Sequence, residues 1–204
     1  MRAAQRHHLR VWLEADLVKR WRAGTVAFDA GLAQLGTLAA IPGVAGIKIA
    51  DELGYHDGLS SPEAIRSFLT AAAAGLRRVA PGKPLLVDMI VPELGCLPDH
   101  IPAIQQAVSC ASQAERQYPQ LSPTNVSSYL NMHAVSVLDL STGLLSDATY
   151  AGWGTDLDAA QTAAWAKVRQ LGWSGMVSLQ ARKALAHPGP YAQSAAAAAA
   201  AVHT

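Results

Sequence analysis

Four ionisable side chains, Asp51, Glu52, His56 and Asp57, follow directly on the short apolar run in GIKIADELGYHDG, residues 46–58. Carboxylates and an imidazole gathered where a strand ends could move protons, accept hydrogen bonds from hydroxyl groups or ligate a metal. Two carboxylates across a cleft are enough for acid/base hydrolysis of a glycosidic bond: one protonates the leaving oxygen, and the other attacks carbon or activates water. Glu52, one residue past the apolar run, is the candidate proton donor, and Asp88, Glu93 and Asp139 are the candidates for the second carboxylate. Lys48 shares the parity of Glu52, and a nearby ammonium favours the ionised carboxylate, which works against an acid unless burial or a second anion opposes it.

The elements that must hold these groups are short. LRVWL, VAGIKIA, LLVDMIV, VSVLDL and MVSL have strand length, are rich in Val, Ile and Leu, and are bounded by Gly, Pro or polar residues. Helical spacing separates them. Phe28, Leu32, Leu35 and Ala39 mark one apolar face, and Ile65, Phe68, Leu69, Ala72, Leu76 and Val79 another. Ser60 and Glu63 predict a capping box at the start of the second helix, with Pro62 in its first turn, and a helix over 156–171 is expected to stop at Gly172. Strands alternating with helices imply right-handed crossovers and a parallel sheet.

Parity along the strands then divides the chemistry from the core. Ile47 and Ile49 oppose Lys48 and Glu52; Leu85, Val87 and Met89 oppose Asp88; Val11 and Leu13 oppose Trp12, Glu14 and Asp16; Val177 and Leu179 oppose Gln180 and Arg182. An open sheet with helices on both faces would bury such charges, whereas a barrel turns them towards a mouth at the carboxyl ends of its strands. The expected fold is therefore α/β and (β/α) TIM-barrel-like, complete or partial, since a full barrel takes about 250 residues and only about five units are visible here. One domain is expected over residues 1–191, followed by an Ala-rich tail, 192–204. Trp12, Glu14, Asp16, Lys48, Asp51, His56, Gln180 and Arg182 are the candidate substrate-binding residues. Structural roles compete with these: Lys48 and Asp88 as an interior ion pair, His56 and Asp57 as loop or cap residues, and Trp12 as packing.

The chain resembles the TIM-barrel glycoside hydrolases on the run PGVAGIKIADEL, which looks like their fourth strand, with Asp51-Glu52 where many members have Asn-Glu. LRVWLEADL, GKPLLVDM, HAVSVLDLS and LGWSGMVSLQA look like the third, fifth, sixth and seventh strands. The resemblance implies an acid/base Glu52 and a carbohydrate ligand, but it departs at Gln180, where the family's seventh strand supplies a nucleophilic Glu. The stretch KIAD, with Lys48 and Asp51, also resembles the strand of the orotidine-phosphate decarboxylase superfamily, with Gly46 in place of that family's first Asp. A lyase or decarboxylase centred on Lys48 is a second expectation. A third is a non-catalytic barrel fragment that binds carbohydrate or protein, its exposed edges covered by another chain or by a second copy in a homo-oligomer.

Composition narrows the partners. Sixteen Lys and Arg against fifteen Asp and Glu leave a formal charge of +1, without the basic surplus that phosphate-backbone binding needs, so no nucleic-acid partner is expected. No apolar stretch approaches the roughly 20 residues of a membrane span. Neither a cofactor nor a metal is expected: no P-loop or GxGxxG pattern is present, and the spacing of Asp51, Glu52, His56 and Asp57 does not by itself enforce convergence. As given, the sequence reads as cytoplasmic, or as secreted if an export signal precedes it; Cys96 and Cys110 are expected as two free thiols, with a disulfide as the alternative if the protein is exported.

Overall fold

The computed structural model describes residues 6, 10–96 and 103–179. Helices and strands alternate in the order β1 (Val11–Glu14), α1 (Leu17–Arg22), α2 (Thr25–Ala39), β2 (Val44–Ala50), α3 (Pro62–Val79), β3 (Leu85–Ile90), α4 (Ile104–Gln117), α5 (Pro123–Leu130), β4 (Val137–Ser141), α6 (Asp147–Gly152), α7 (Leu157–Gln170) and β5 (Val177–Leu179). Short 3₁₀ turns follow β3 at Pro92–Gly95 and α4 at Pro119–Leu121. Each of the five apolar runs therefore holds a strand. The sheet order is β1-β2-β3-β4-β5, and β1 and β3 both run parallel to β2. β1 and β5 end the order and do not pair with each other, so the sheet is open.

The chain divides into two compact units, Met1–Met89 with Ser128–Leu138, and Ile90–Ser127 with Asp139–Thr204. The core of the first is built from the residues that periodicity selects. Ile47 and Ile49 of β2, Val87 and Met89 of β3, and Ile65, Phe68, Leu69 and Leu76 of α3 are buried. Burial of such side chains contributes about 1.5 to 3 kcal/mol each. α3 packs on α2, and the approach is close at Gly75, where an added Cβ would overlap the Leu32 side chain.

α3 starts one residue later than the capping box predicts. Its cap is Ser61, not Ser60: the Ser61 Oγ accepts a hydrogen bond from the Ala64 N–H at 3.2 Å, and Pro62 opens the first turn. The Glu63 carboxyl lies below the usual carboxylate range, first because backbone N–H bonding favours its anion and then because Ser61 and Arg66 do. Ser61→Ala should therefore lower stability by about 1 kcal/mol, read from urea unfolding midpoints, while Ser60→Ala should change it little. Equal losses for the two variants would contradict the assignment of the cap.

In the second unit the buried core includes Leu121, Leu140, Tyr150, Leu157, Ala164 and Val168. The expectation of two free thiols is overturned here, because Cys96 and Cys110 form a disulfide with their Cα atoms 5.6 Å apart. Cys96 stands just past the Pro92–Gly95 turn and Cys110 lies within α4, which packs on that turn. That separation suits a disulfide, and nothing in a spacing of 14 residues discloses it. The Ala-rich tail lies outside the described residues. No helix among the described residues is long and apolar enough to cross a membrane.

Candidate functional site

Strand register brings the first two charges together. β1 pairs with β2 so that Glu14 stands opposite Lys48, and β2 pairs with β3 so that Lys48 stands opposite Leu86, two residues before Asp88 on the same face. The register shifts between Lys48 and Ala50, at the place where the charges gather. The Lys48 Nζ lies 3.6 Å from Glu14 Oε1, 3.4 Å from Asp88 Oδ2 and 2.5 Å from Asp51 Oδ1. Asp51 joins from the loop just past β2, placed three residues beyond the lysine.

Burial grades this cluster from floor to rim. The Asp88 side chain is 2% exposed and that of Lys48 11%, whereas Glu14 and Asp51 are 63% and 56% exposed. Lys48 is thus the bridge between a buried carboxylate and two that reach solvent. Its burial alone would lower the amine pKa, but the hydrogen bond to Asp51 and the charges of Asp88, Asp51 and Glu14 together outweigh it and raise the pKa above the ordinary value. Lys48 is therefore an ammonium at neutral pH, poorly suited to attack a carbonyl.

Glu14 also lines a cleft of about 560 Å³, with Asp16, Lys19, Arg20, Gln34 and Leu35. Arg20 donates to Gln34 Oε1 at 3.1 Å across this cleft. Asp16 is the cap of α1, accepting from the Lys19 N–H at 3.1 Å. Trp12 packs on β2: an added Cβ at Gly46 would run into its six-membered ring. The indole serves as packing there, one of the two roles its position suggests.

The loop after β2 is organised by Asp57 and not by Glu52. Asp57 accepts from the Gly54 N–H at 2.9 Å and from the Leu59 N–H at 2.8 Å, and its carbonyl accepts from Arg22 at 3.0 Å. The Leu53 N–H donates to the Asp88 carbonyl at 2.8 Å, which ties the same loop to β3. Glu52 is exposed at a backbone φ of +48°, and His56 is exposed at φ +111° with its ring 4.2 Å from that of Tyr55. Positive φ costs a non-glycine residue conformational energy, so the loop is held in place by the Asp57 bonds.

The structure thus gathers Glu14, Lys48, Asp51 and Asp88, and leaves the Glu52 and His56 side chains at the surface. Glu93 and Asp139 belong to the second unit, Glu93 on the Pro92–Gly95 turn and Asp139 in β4. Burial pushes the Glu93 carboxyl up and Glu115 adds to this, while Lys167 pulls it back down. Gln180 and Arg182 lie outside the described residues. Sequence reading missed Lys19, Arg20 and Gln34, which on helical spacing alone look like ordinary solvated positions. Among the described residues, no group of three His, Cys, Asp or Glu side chains is arranged to hold a metal ion. Neither the family models, nor the curated proteins, nor the solved structures give a match to this chain.

Proposed function

We propose that this chain binds or acts on carbohydrate through the carboxylates around Lys48, as a reduced relative of the (β/α) barrel glycoside hydrolases. The observation that carries the reading is the charge of the cluster. Glu14, Asp51 and Asp88 stand against Lys48 in the cluster, and Asp16 stands against Lys19 and Arg20 in the adjoining cleft, so the carboxylates outnumber the cations by one. That slight acidic surplus suits neutral, hydroxyl-rich ligands, because a carboxylate accepts hydrogen bonds and a sugar hydroxyl donates them. The exposed Glu14 and Asp51 are the acceptors, and the adjoining cleft of about 560 Å³ falls within the roughly 300 to 1,000 Å³ typical of small-molecule sites.

The same charges weigh against the lysine-centred alternative. A Schiff base requires a free amine, and three carboxylates keep Lys48 protonated. A decarboxylase needs an anionic substrate, which the net negative cluster disfavours. For hydrolysis, Glu52 is the proposed proton donor, exposed next to Asp51 in the loop after β2.

Three substitutions separate binding from turnover. Glu14→Gln and Asp51→Asn should each weaken binding of a neutral oligosaccharide by about tenfold, the value of one charge-assisted hydrogen bond of about 1.5 kcal/mol, read by calorimetric titration. Glu52→Gln should leave that affinity in place and abolish hydrolysis of aryl glycosides if the chain is a hydrolase. Unchanged affinity in both the Glu14 and the Asp51 variant would refute the assignment of the site.

A further inference from the structure

Helix α4 (Ile104–Gln117) is poorly anchored by its side chains. Of its 14 residues only Ala107 is buried, whereas α7, of the same length, buries Leu157, Ala160, Gln161, Ala164, Trp165 and Val168. Ile104 and Val108, one turn apart, remain 55% and 50% exposed. The helix also lacks help at its start: Ala103 provides no side-chain cap, and the first turn holds no acidic residue to meet the helix dipole. An isolated helix of this length is marginal in water. The bond that does fasten it is covalent, from Cys110 in mid-helix to Cys96, itself 1% exposed at the end of the Pro92–Gly95 turn.

We propose that the Cys96–Cys110 disulfide, and not apolar packing, holds α4 against the Pro92–Gly95 turn, so that reduction releases the helix and opens the surroundings of Glu93 to water. The chemistry is thiol–disulfide exchange with a dithiol reductant. One thiolate of the reductant attacks the sulfur of Cys110, which is only partly buried, and displaces Cys96 as a thiolate. The second thiol of the reductant then attacks the mixed disulfide, leaving two protein thiols and an oxidised reductant.

The consequence reaches Glu93 through the groups that face it. Burial raises its carboxyl, Glu115 on α4 adds to the rise, and Lys167 on α7 opposes it. Release of α4 removes Glu115 and the part of the burial that α4 supplies, while α7 and Lys167 stay, so the carboxyl should ionise at lower pH in the reduced protein. The proposal is independent of the carbohydrate reading, since it needs no ligand.

Hydrogen exchange measured by mass spectrometry on the full chain tests it, before and after treatment with excess dithiothreitol. Peptides covering 104–117 should exchange at least tenfold faster once reduced, with α3 (Pro62–Val79) unchanged, and the Glu93 carboxyl carbon should show an NMR titration midpoint at lower pH. Cys110→Ser should reproduce both changes without reductant. Protection of 104–117 that survives reduction would overturn the proposal, as would loss of protection in α3 to the same degree, which would mark global unfolding. Alkylation that labels two free thiols in the untreated protein would also overturn it.

Discussion

Lys48→Met should destabilise the protein by about 3 kcal/mol at pH 7, the lower end of the roughly 3 to 5 kcal/mol lost when one partner of a buried ion pair is removed. The lower end applies because two of the three carboxylates are more than half exposed and can be rehydrated. Asp88 cannot, with a side chain 2% exposed. Once the ammonium is gone, burial favours the protonated form of that carboxyl, so the variant should recover stability as pH falls. The native pair also loses stability as pH rises, but in a far more alkaline window. Because the folded-state pKa of Lys48 is raised, its contribution is complete below the unfolded value near 10.5 and is lost only as pH rises through the higher folded value. Chemical denaturation of both proteins from pH 4 to pH 11 checks this: only the variant should change with pH in the acidic half through Asp88, and the gap between the two proteins should close only at the alkaline end. The double variant Lys48→Met with Asp88→Leu should regain most of the loss, since it removes the buried charge together with its partner. No recovery in the double variant would mean that the lysine stabilises by packing alone.

Tyr150→Phe should cost about 2 to 3 kcal/mol, a large effect for one oxygen atom. The phenol is fully buried at 0% exposure, donates to the Gly95 carbonyl at 2.7 Å and accepts from the Leu145 N–H at 3.0 Å. It thereby joins the turn after β3 to the loop after β4 within the second unit. Deleting the hydroxyl strands the buried Gly95 carbonyl, worth about 1 to 3 kcal/mol without a partner, and the part-buried Leu145 N–H, which costs less because water can reach it. Burial first, against the opposing bond from Leu145, pushes the phenol up to about 12. The raised value keeps the hydroxyl protonated and able to donate throughout the neutral range. Guanidinium unfolding of the variant measures the cost, and a loss below about 1 kcal/mol would show that water replaces the hydroxyl.

Strand positions were legible because apolar runs with sharp polar borders have little freedom: each of the five runs that pattern selects contains a strand. Parity carried further, placing Glu14, Lys48 and Asp88 on one face before any distance was known. What parity cannot give is the loop. Glu52 continues the parity of Lys48, but the chain turns at positive φ directly after β2, so Asp51 reaches the ammonium and Glu52 faces solvent. The closure of the sheet was equally hidden, because curvature is set by register and crossover geometry and not by strand composition. Cys96 and Cys110 show a third kind of limit: the compartment argument favoured thiols, while the fold sets their Cα atoms 5.6 Å apart, which no local pattern discloses. Ser61 in place of Ser60 is an ordinary end effect, one residue at a helix boundary.

The measurement closest to the central claim compares the affinity of one neutral oligosaccharide with that of its phosphorylated or carboxylated counterpart, at low ionic strength. Carboxylates in excess over cations predict that the neutral sugar binds more tightly, that the gap narrows as salt is added, and that amide shifts on titration fall on Glu14–Asp16 and Lys48–Asp51. Tighter binding of the anionic sugar, or shifts confined to other segments, would contradict the account.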